Sequence, residues 1–407
     1  MKRFISLILI FILILPLASC DKYAFSLKDM FIFTAVEDGW AVAGISVADR
    51  TTAIEFIDIP SEYQGKPVVE ISNYGFMSYA LLINVTIPDS IKRIGKGAFN
   101  GCIALTDVYI SENVEFIDEY AFSGCCFIKN FNVSANNKHY KSIDGHLFTI
   151  DGQLLQYALG QTNASYTFPE GTTSIGTLSV ARSMFLSYIN FPNTLERIER
   201  QAFADSPFLK SITIPDSVTY MGKEAFLRSG IESVTFGNGL EEIPTFAFIE
   251  CLQLKEASLG SVKIIGETAF VMCVSLERVE MPDTVISIKD GAFGICSSLS
   301  SITLPPSLEY LGPRVFTNCD SLTSMDIPDG IDTLRYGTFN LCTQLSEITL
   351  PANLTKIQTL CFSGCVSLKR INFEGTMEQW NAIEKEDAWD LGTGNYTVYC
   401  IDGNIEK

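Results

Sequence analysis

Apolar residues recur along this chain in a compound phrase, not at a single helical or strand period. One copy reads Leu322-x-x-Met325-x-Ile327-Pro328, then Ile331-x-x-Leu334, then Phe339-x-x-Cys342. The copy before it is Leu299, Ile302, Leu304, Pro305, Leu308, Leu311, Phe316, Cys319, and the copy after it ends on Phe362 and Cys365. Marker phenylalanines stand at Phe76, Phe99, Phe122, Phe203, Phe226, Phe248, Phe270, Phe293, Phe316, Phe339 and Phe362. They are 22 or 23 residues apart, save one gap of 81 between Phe122 and Phe203. A fixed period of this length with Leu or Ile at set offsets predicts a solenoid of stacked coils around one continuous core.

Each part of the phrase predicts a part of the coil. In Leu276-x-x-Val279-Glu280-Met281-Pro282, Val279 and Met281 point one way and Glu280 the other, because strands alternate with period two. Such phrases centre on Asp58, Thr86, Tyr109, Asn132, Thr167, Asn190, Thr213, Thr235, Ser258, Glu280, Thr303, Asp326, Thr349 and Asn372. Stacked as a parallel sheet at roughly 4.8 Å per coil, they give an array on the order of 60–65 Å long. A proline closes many of them and turns the chain. The second phrase, such as Val285-x-x-Ile288, predicts an opposite apolar wall. A Gly-Ala-Phe segment follows and predicts a single helical or 3₁₀ turn whose Phe fills the core.

Three regions break the rhythm. Phe31–Thr34 and Trp40–Ala43 flank Glu37-Asp38-Gly39 and predict a hairpin ahead of the first coil, so residues 20–70 read as tether and N-terminal cap of a solenoid over 71–373. Within about 134–165, His146–Ile150 and Gln153–Tyr157 flank Asp151-Gly152 and predict a hairpin insertion in place of one Phe turn. Both histidines, His139 and His146, lie there; an edge decoration is expected, since ligands at metal spacing are absent. After Phe373, Thr376 reads as the N-cap of a short helix using Trp380 and Ile383, and Thr397–Cys400 as a last strand. Residues 374–407 are thus the expected C-terminal cap, with only about the final five as a disordered tail.

The repeated phrase Ala-Phe-x-x-Cys-x-x-Leu-x-x-Ile-x-Ile-Pro-x-x-Val-x-x-Ile-Gly resembles the BspA-like leucine-rich repeat family of bacterial surface proteins, over about residues 54–373. The expected fold is thus a leucine-rich repeat solenoid, mainly β with short helical turns, with an N-terminal hairpin cap and an α/β C-terminal cap that resembles the closing segment of that family. The resemblance also implies export, and adhesin-like contact with proteins or other bacteria, but it assigns no binding residues.

Other features narrow the function. Met1-Lys2-Arg3, an apolar run from Phe4 to Leu15, and Pro16-Leu17-Ala18-Ser19-Cys20 read as a signal peptide over residues 1–19, too short for a spanning helix. Leu17-Ala18-Ser19-Cys20 resembles the bacterial lipobox, which implies a lipid anchor on Cys20. The net charge is −18; residues 1–19 hold Lys2 and Arg3 and no acid, so the remainder carries −20. That excludes a nucleic-acid partner, for want of excess Lys and Arg.

Cys102, Cys125, Cys251, Cys273, Cys296, Cys319, Cys342 and Cys365 share one repeat position. This column reads either as a metal or redox array or as small buried side chains; Ser183, Ser206 and Ser229 at the same position favour burial. No nucleophile-elbow, zinc-protease or phosphate-loop motif occurs, so no enzyme and no cofactor are expected. The leading expectation is a monomeric, exported, lipid-anchored protein that binds a protein or glycan. Its candidate face is lined by Thr213, Thr235, Glu280, Thr303, Asp326 and Thr349, although a threonine column also suits sheet packing alone. A structural or scaffolding envelope lipoprotein with bacterial partner proteins is the rival.

Overall fold

The computed structural model describes residues 30–46 and 54–407. Cys20 and the signal-like segment lie outside the described residues. Two walls of short parallel strands line the array, joined at most coils by a turn that carries the marker Phe; Val180 takes its place in one coil and the middle insertion replaces the turn in another. The first wall comprises Phe56–Asp58, Asn84–Thr86, Asp107–Ile110 and Asn130–Val133, then Ser165–Thr167 through Arg278–Glu280, then Ser324–Asp326, Glu347–Leu350 and Arg370–Phe373. Buried and exposed residues alternate along them as period two demands, for example Ser211–Ile214.

Every expected strand phrase forms except the one centred on Thr303. Residues 301–305 form no strand and no ladder pairing, and the strand face is interrupted between Arg278–Glu280 and Ser324–Asp326. Pro305-Pro306 removes two consecutive donors at the strand exit, and Ser297, Ser298, Ser300 and Ser301 supply weak strand formers at its entrance. The opposite wall stays paired here through Ser287↔Tyr310 and Ile288↔Leu311.

The Phe segments are turns, not helices. Their first and third ladder residues hold left-handed backbone, as at Tyr74 (φ 57°) and Ser78 (φ 65°). Every second N–H of the turn bonds to the next coil, while those between close tight turns on the carbonyl three residues back, as Ala98 N–H does on Gly95 at 3.1 Å and Asn100 N–H on Gly97 at 3.0 Å. Phe76 N–H donates to Ala98 C=O at 2.8 Å and Phe99 N–H to Ala121 C=O at 2.8 Å. The rings follow the same stacking: Phe203 to Phe362 form an unbroken column with centroids 5.1–5.9 Å apart and planes within 13° of parallel. That is the offset-stacked range, and each ring adds roughly 1.5–3 kcal/mol by burial.

At the start, Phe31–Val36 and Gly39–Ile45 form the expected antiparallel hairpin, and Glu62–Tyr63 with Lys66–Ile71 adds a second one around Gln64-Gly65. At the end, Thr376 makes a capping box with Gln379 on the helix Met377–Ala382. Thr397–Cys400 pairs with Arg370–Phe373. Gly403–Glu406 then folds back on Thr397–Cys400, so most of the expected tail is a strand instead.

The middle insertion is a three-stranded unit, Tyr140–Ile143, His146–Thr149 and Gln153–Gln156. It divides the buried apolar residues into two clusters: Leu147 belongs to the first and its neighbour Phe148 to the second. His146 is therefore not an edge decoration. It is fully buried, stacked on Tyr157 at 4.0 Å and edge-on to Tyr166, with Nδ1 accepting the Ala158 N–H at 3.0 Å. His139 is exposed.

Burial holds the His146 imidazole neutral and lowers its pKa to about 3. A base with a depressed folded pKa contributes stability above its unfolded pKa, near 6.5, and loses it as pH falls toward 3. Relative to His146→Phe, the wild type is expected to lose about 2–3 kcal/mol between pH 7.5 and 4.5, read from urea unfolding at both pH values. A pH-independent difference between the two proteins would refute this.

Candidate binding face

The exposed positions of the first wall build a polar surface from the strand alternation upward. Register places Thr213 directly beside Thr235, Thr235 beside Ser258, and Ser258 beside Glu280, giving one continuous row across four coils. Asp326 lies beside Thr349 and Thr349 beside Asn372, a second row. Thr303 is exposed but sits in the unpaired segment between the rows, so the expected single face is two. Thr213, Thr235, Glu280 and Asp326 are exposed, and Thr349 is half-buried.

None of these six side chains hydrogen-bonds to another described residue. Elsewhere on the same face neighbouring rungs do pair: Thr86 donates to Asp58 at 2.6 Å, Asn190 to Thr167 at 3.2 Å, and Ser233 to Ser211 at 3.0 Å. The unengaged hydroxyls and carboxylates are free to meet a ligand. Around Thr213 and Thr235 the surface deepens into a groove of 570 Å³, with Tyr188, Asn190, Asn193 and Asp216 on its walls. Tyr188 is 56% exposed, an amphipathic ring suited to a saccharide face or a side chain.

Tyr188, Asn193 and Asp216 were not among the residues the repeat pattern singles out. Tyr188 had a usable signal: a large aromatic at a position that strand alternation turns outward. Asn193 and Asp216 follow the strand in turns, where the repeat sets no side-chain direction.

The cysteine column does other work. Each thiol donates to the carbonyl of the marker Phe one coil earlier: Cys102 to Phe76 at 3.0 Å, Cys273 to Phe248 at 3.2 Å, Cys342 to Phe316 at 3.0 Å. Ser206 makes the same bond to Val180 at 3.2 Å. Burial pushes these thiols up, to about 12 for Cys102, Cys251, Cys319 and Cys365. All are free thiols, and a neutral, buried thiol is a poor nucleophile and a poor metal ligand. Among the described residues no group of three or more His, Cys, Asp or Glu could hold a metal ion.

Comparison with known proteins places this architecture. No curated protein matches the chain. A leucine-rich repeat protein from Bacteroides ovatus is similar in structure with a TM-score of 0.59 at 24% identity, over 93% of this chain and 100% of its own. One from Eubacterium ventriosum gives 0.53 at 17% identity, over 72% and 93%. These likenesses show the fold. The family model described as "BspA type Leucine rich repeat region" matches residues 69–166, 153–275 and 263–383 in 6 copies. With most of its length so matched, the chain belongs to the BspA-type leucine-rich repeat family.

Proposed function

We propose that this protein is exported, anchored by acyl chains on Cys20, and binds a protein or glycan through its strand face. The observation that carries the reading is the groove at Thr213 and Thr235, whose hydroxyls have no partner among the described residues and which an exposed tyrosine borders. Hydroxyl, amide and carboxylate groups around an aromatic ring are the chemistry of an adaptable polar recognition surface. The role is non-catalytic and adhesin-like.

Solid-phase binding of the full chain to panels of matrix proteins and glycans tests this. Thr213→Arg with Thr235→Arg, two exposed positions, should reduce binding to the ligand found by about tenfold or more without changing the unfolding midpoint. Silence across both panels, or equal binding by the double variant, would sink the strand-face reading.

The anchor makes a separate prediction. Cys20→Ser should move the protein from the membrane fraction to the soluble fraction and abolish incorporation of labelled fatty acid. Among the described residues no helix is long and apolar enough to cross a membrane, so no other spanning helix in them would retain it. Retained label in Cys20→Ser would dismiss the anchor.

A further inference from the structure

The turn ladder is regular along the array and fails at one place. In each intact coil, three alternate N–H groups donate to three carbonyls of the next coil. Gly97, Phe99 and Gly101 donate to Glu119, Ala121 and Ser123 at 3.1, 2.8 and 2.8 Å. Leu178, Val180 and Arg182 donate to Arg200, Ala202 and Ala204 at 3.2, 2.9 and 2.8 Å. Even the last coil is served, through Leu360, Phe362 and Gly364 to Ala388, Trp389 and Leu391.

Between these runs, the N–H groups of Tyr120, Phe122 and Gly124 have no acceptor among the described residues. Across the gap, the carbonyls of Thr177 and Ala181 have no donor there either. The insertion supplies only a partial substitute: Tyr157 N–H and the Gln156 amide both bond to the Ser179 carbonyl, at 2.9 and 3.0 Å.

The donors keep their ladder geometry. Tyr120 holds φ 44° and Gly124 φ 73°, matching Gly97 at 58° and Gly101 at 74°. Their N–H groups thus point along the array toward a rung that the chain does not provide. A cleft of 420 Å³ lies there, bordered by Tyr120 and Phe122 on one side and by Gly176 and Thr177 on the other, with Gln153 and Leu155 of the insertion also lining it. That is within the range of about 300–1,000 Å³ in which ligands are held.

Chemistry selects the occupant. Donors on one wall and an acceptor on the other, set by a backbone ladder, match a molecule that can accept along one edge and donate along the opposite edge. An extended polypeptide does both, since each of its edges carries carbonyls and N–H groups. A free anion does not fit, since Asp118, Glu119 and Glu199 line the cleft and the bases beside them are already paired with those carboxylates, Arg93 at 2.9 Å, Lys96 at 3.3 Å and Arg197 at 2.8 Å.

We infer that this cleft receives an extended segment of a partner protein, whose backbone completes the missing rung by accepting from Tyr120 and Phe122 and donating to Thr177. The site is separate from the strand face and stands whether or not that face binds anything.

Hydrogen exchange on the free full chain, in detergent micelles, is the first arm. The Tyr120 and Phe122 amides should exchange about a hundredfold or more faster than those of Gly97 and Phe99; equal protection would mean the rung is closed and would overturn the inference. The second arm selects binders from a phage-displayed linear heptapeptide library and synthesises the most enriched one. Its binding should protect Tyr120 and Phe122. It should fall about tenfold or more in Gln153→Trp, which fills the cleft, and hold within about threefold in Gln153→Ala. N-methylation of alternate peptide residues, which leaves the protein untouched, should abolish it. Failure to enrich any peptide, or binding indifferent to both Gln153→Trp and N-methylation, would overturn it.

Discussion

Phe270→Ala is expected to lower stability by about 3–5 kcal/mol, the range for deleting a buried aromatic ring. The ring is fully buried and stacked between Phe248 at 5.2 Å and Phe293 at 5.4 Å. Removing it takes the transfer energy of the side chain and leaves a cavity whose walls are two other coils. Those walls cannot collapse freely, because Phe270 N–H donates to Ala292 and Phe248 N–H to Ala269, both at 2.8 Å, and these bonds hold the coils at their spacing. In a stacked array each coil touches only its neighbours, so the loss also weakens the link between two halves. Guanidinium unfolding followed by circular dichroism should show either a lower midpoint at unchanged slope or a new early transition. The control is Phe208→Ala, an exposed phenylalanine at 49%, which should stay within about 0.5 kcal/mol of wild type. A Phe270→Ala loss under about 1 kcal/mol would mean the column is decorative.

Much of this was legible because a repeat repeats its own evidence. A single Leu-x-x-Ile-x-Ile-Pro could be many things; many copies at one spacing force a shared environment on each position, and strand, wall and column follow. The helical reading of the Phe segment failed for a local reason. Residues such as Tyr74, Gln201, Glu224 and Arg314 carry no glycine-like mark, yet adopt left-handed backbone because the inter-coil hydrogen bonds outweigh the strain. Thr303 failed for a pairwise reason: its own phrase fits the repeat, and the doubled proline after it spoils the pairing with its neighbours.

His146 failed differently. A histidine in an insertion reads as surface, but His146–Thr149 runs between the two apolar clusters, and its side chains are buried for that reason. The candidate face shows the same limit. Alternation told which side chains point outward, whereas the depth of the groove at Tyr188 and Asp216 depends on how neighbouring coils sit, which no single repeat contains.

The cysteine column is expected to make the wild type alkali-sensitive. Cys102, Cys251, Cys319 and Cys365 are pushed from 9.0 to about 12, chiefly by burial. A raised folded pKa means the folded state holds the proton more tightly. Its contribution to stability is complete below the unfolded pKa, near 9, and is lost as pH rises from there toward 12. At pH 10 each such thiol gives up about 1.4 kcal/mol, so these four together remove about 5–6 kcal/mol, a large share of an ordinary domain's stability. Tyr157, raised to about 12 by burial, adds to the same slope, so the wild-type curve alone does not isolate the column.

Cys319→Ser does isolate it. Serine is already accepted at this position, where Ser206 bonds to Val180 at 3.2 Å as Cys319 bonds to Phe293 at 3.2 Å, and it does not titrate. At pH 7 the variant should be less stable than wild type by about 1 kcal/mol for the smaller apolar group. At pH 10 that deficit should vanish or reverse, because only the wild type must ionise a buried thiol on unfolding. Paired guanidinium titrations at the two pH values read the crossover directly. A deficit that stays constant from pH 7 to 10 would mean the thiol ionises as easily in the fold as in the unfolded chain, and so is reached by water rather than sealed against the Phe carbonyl.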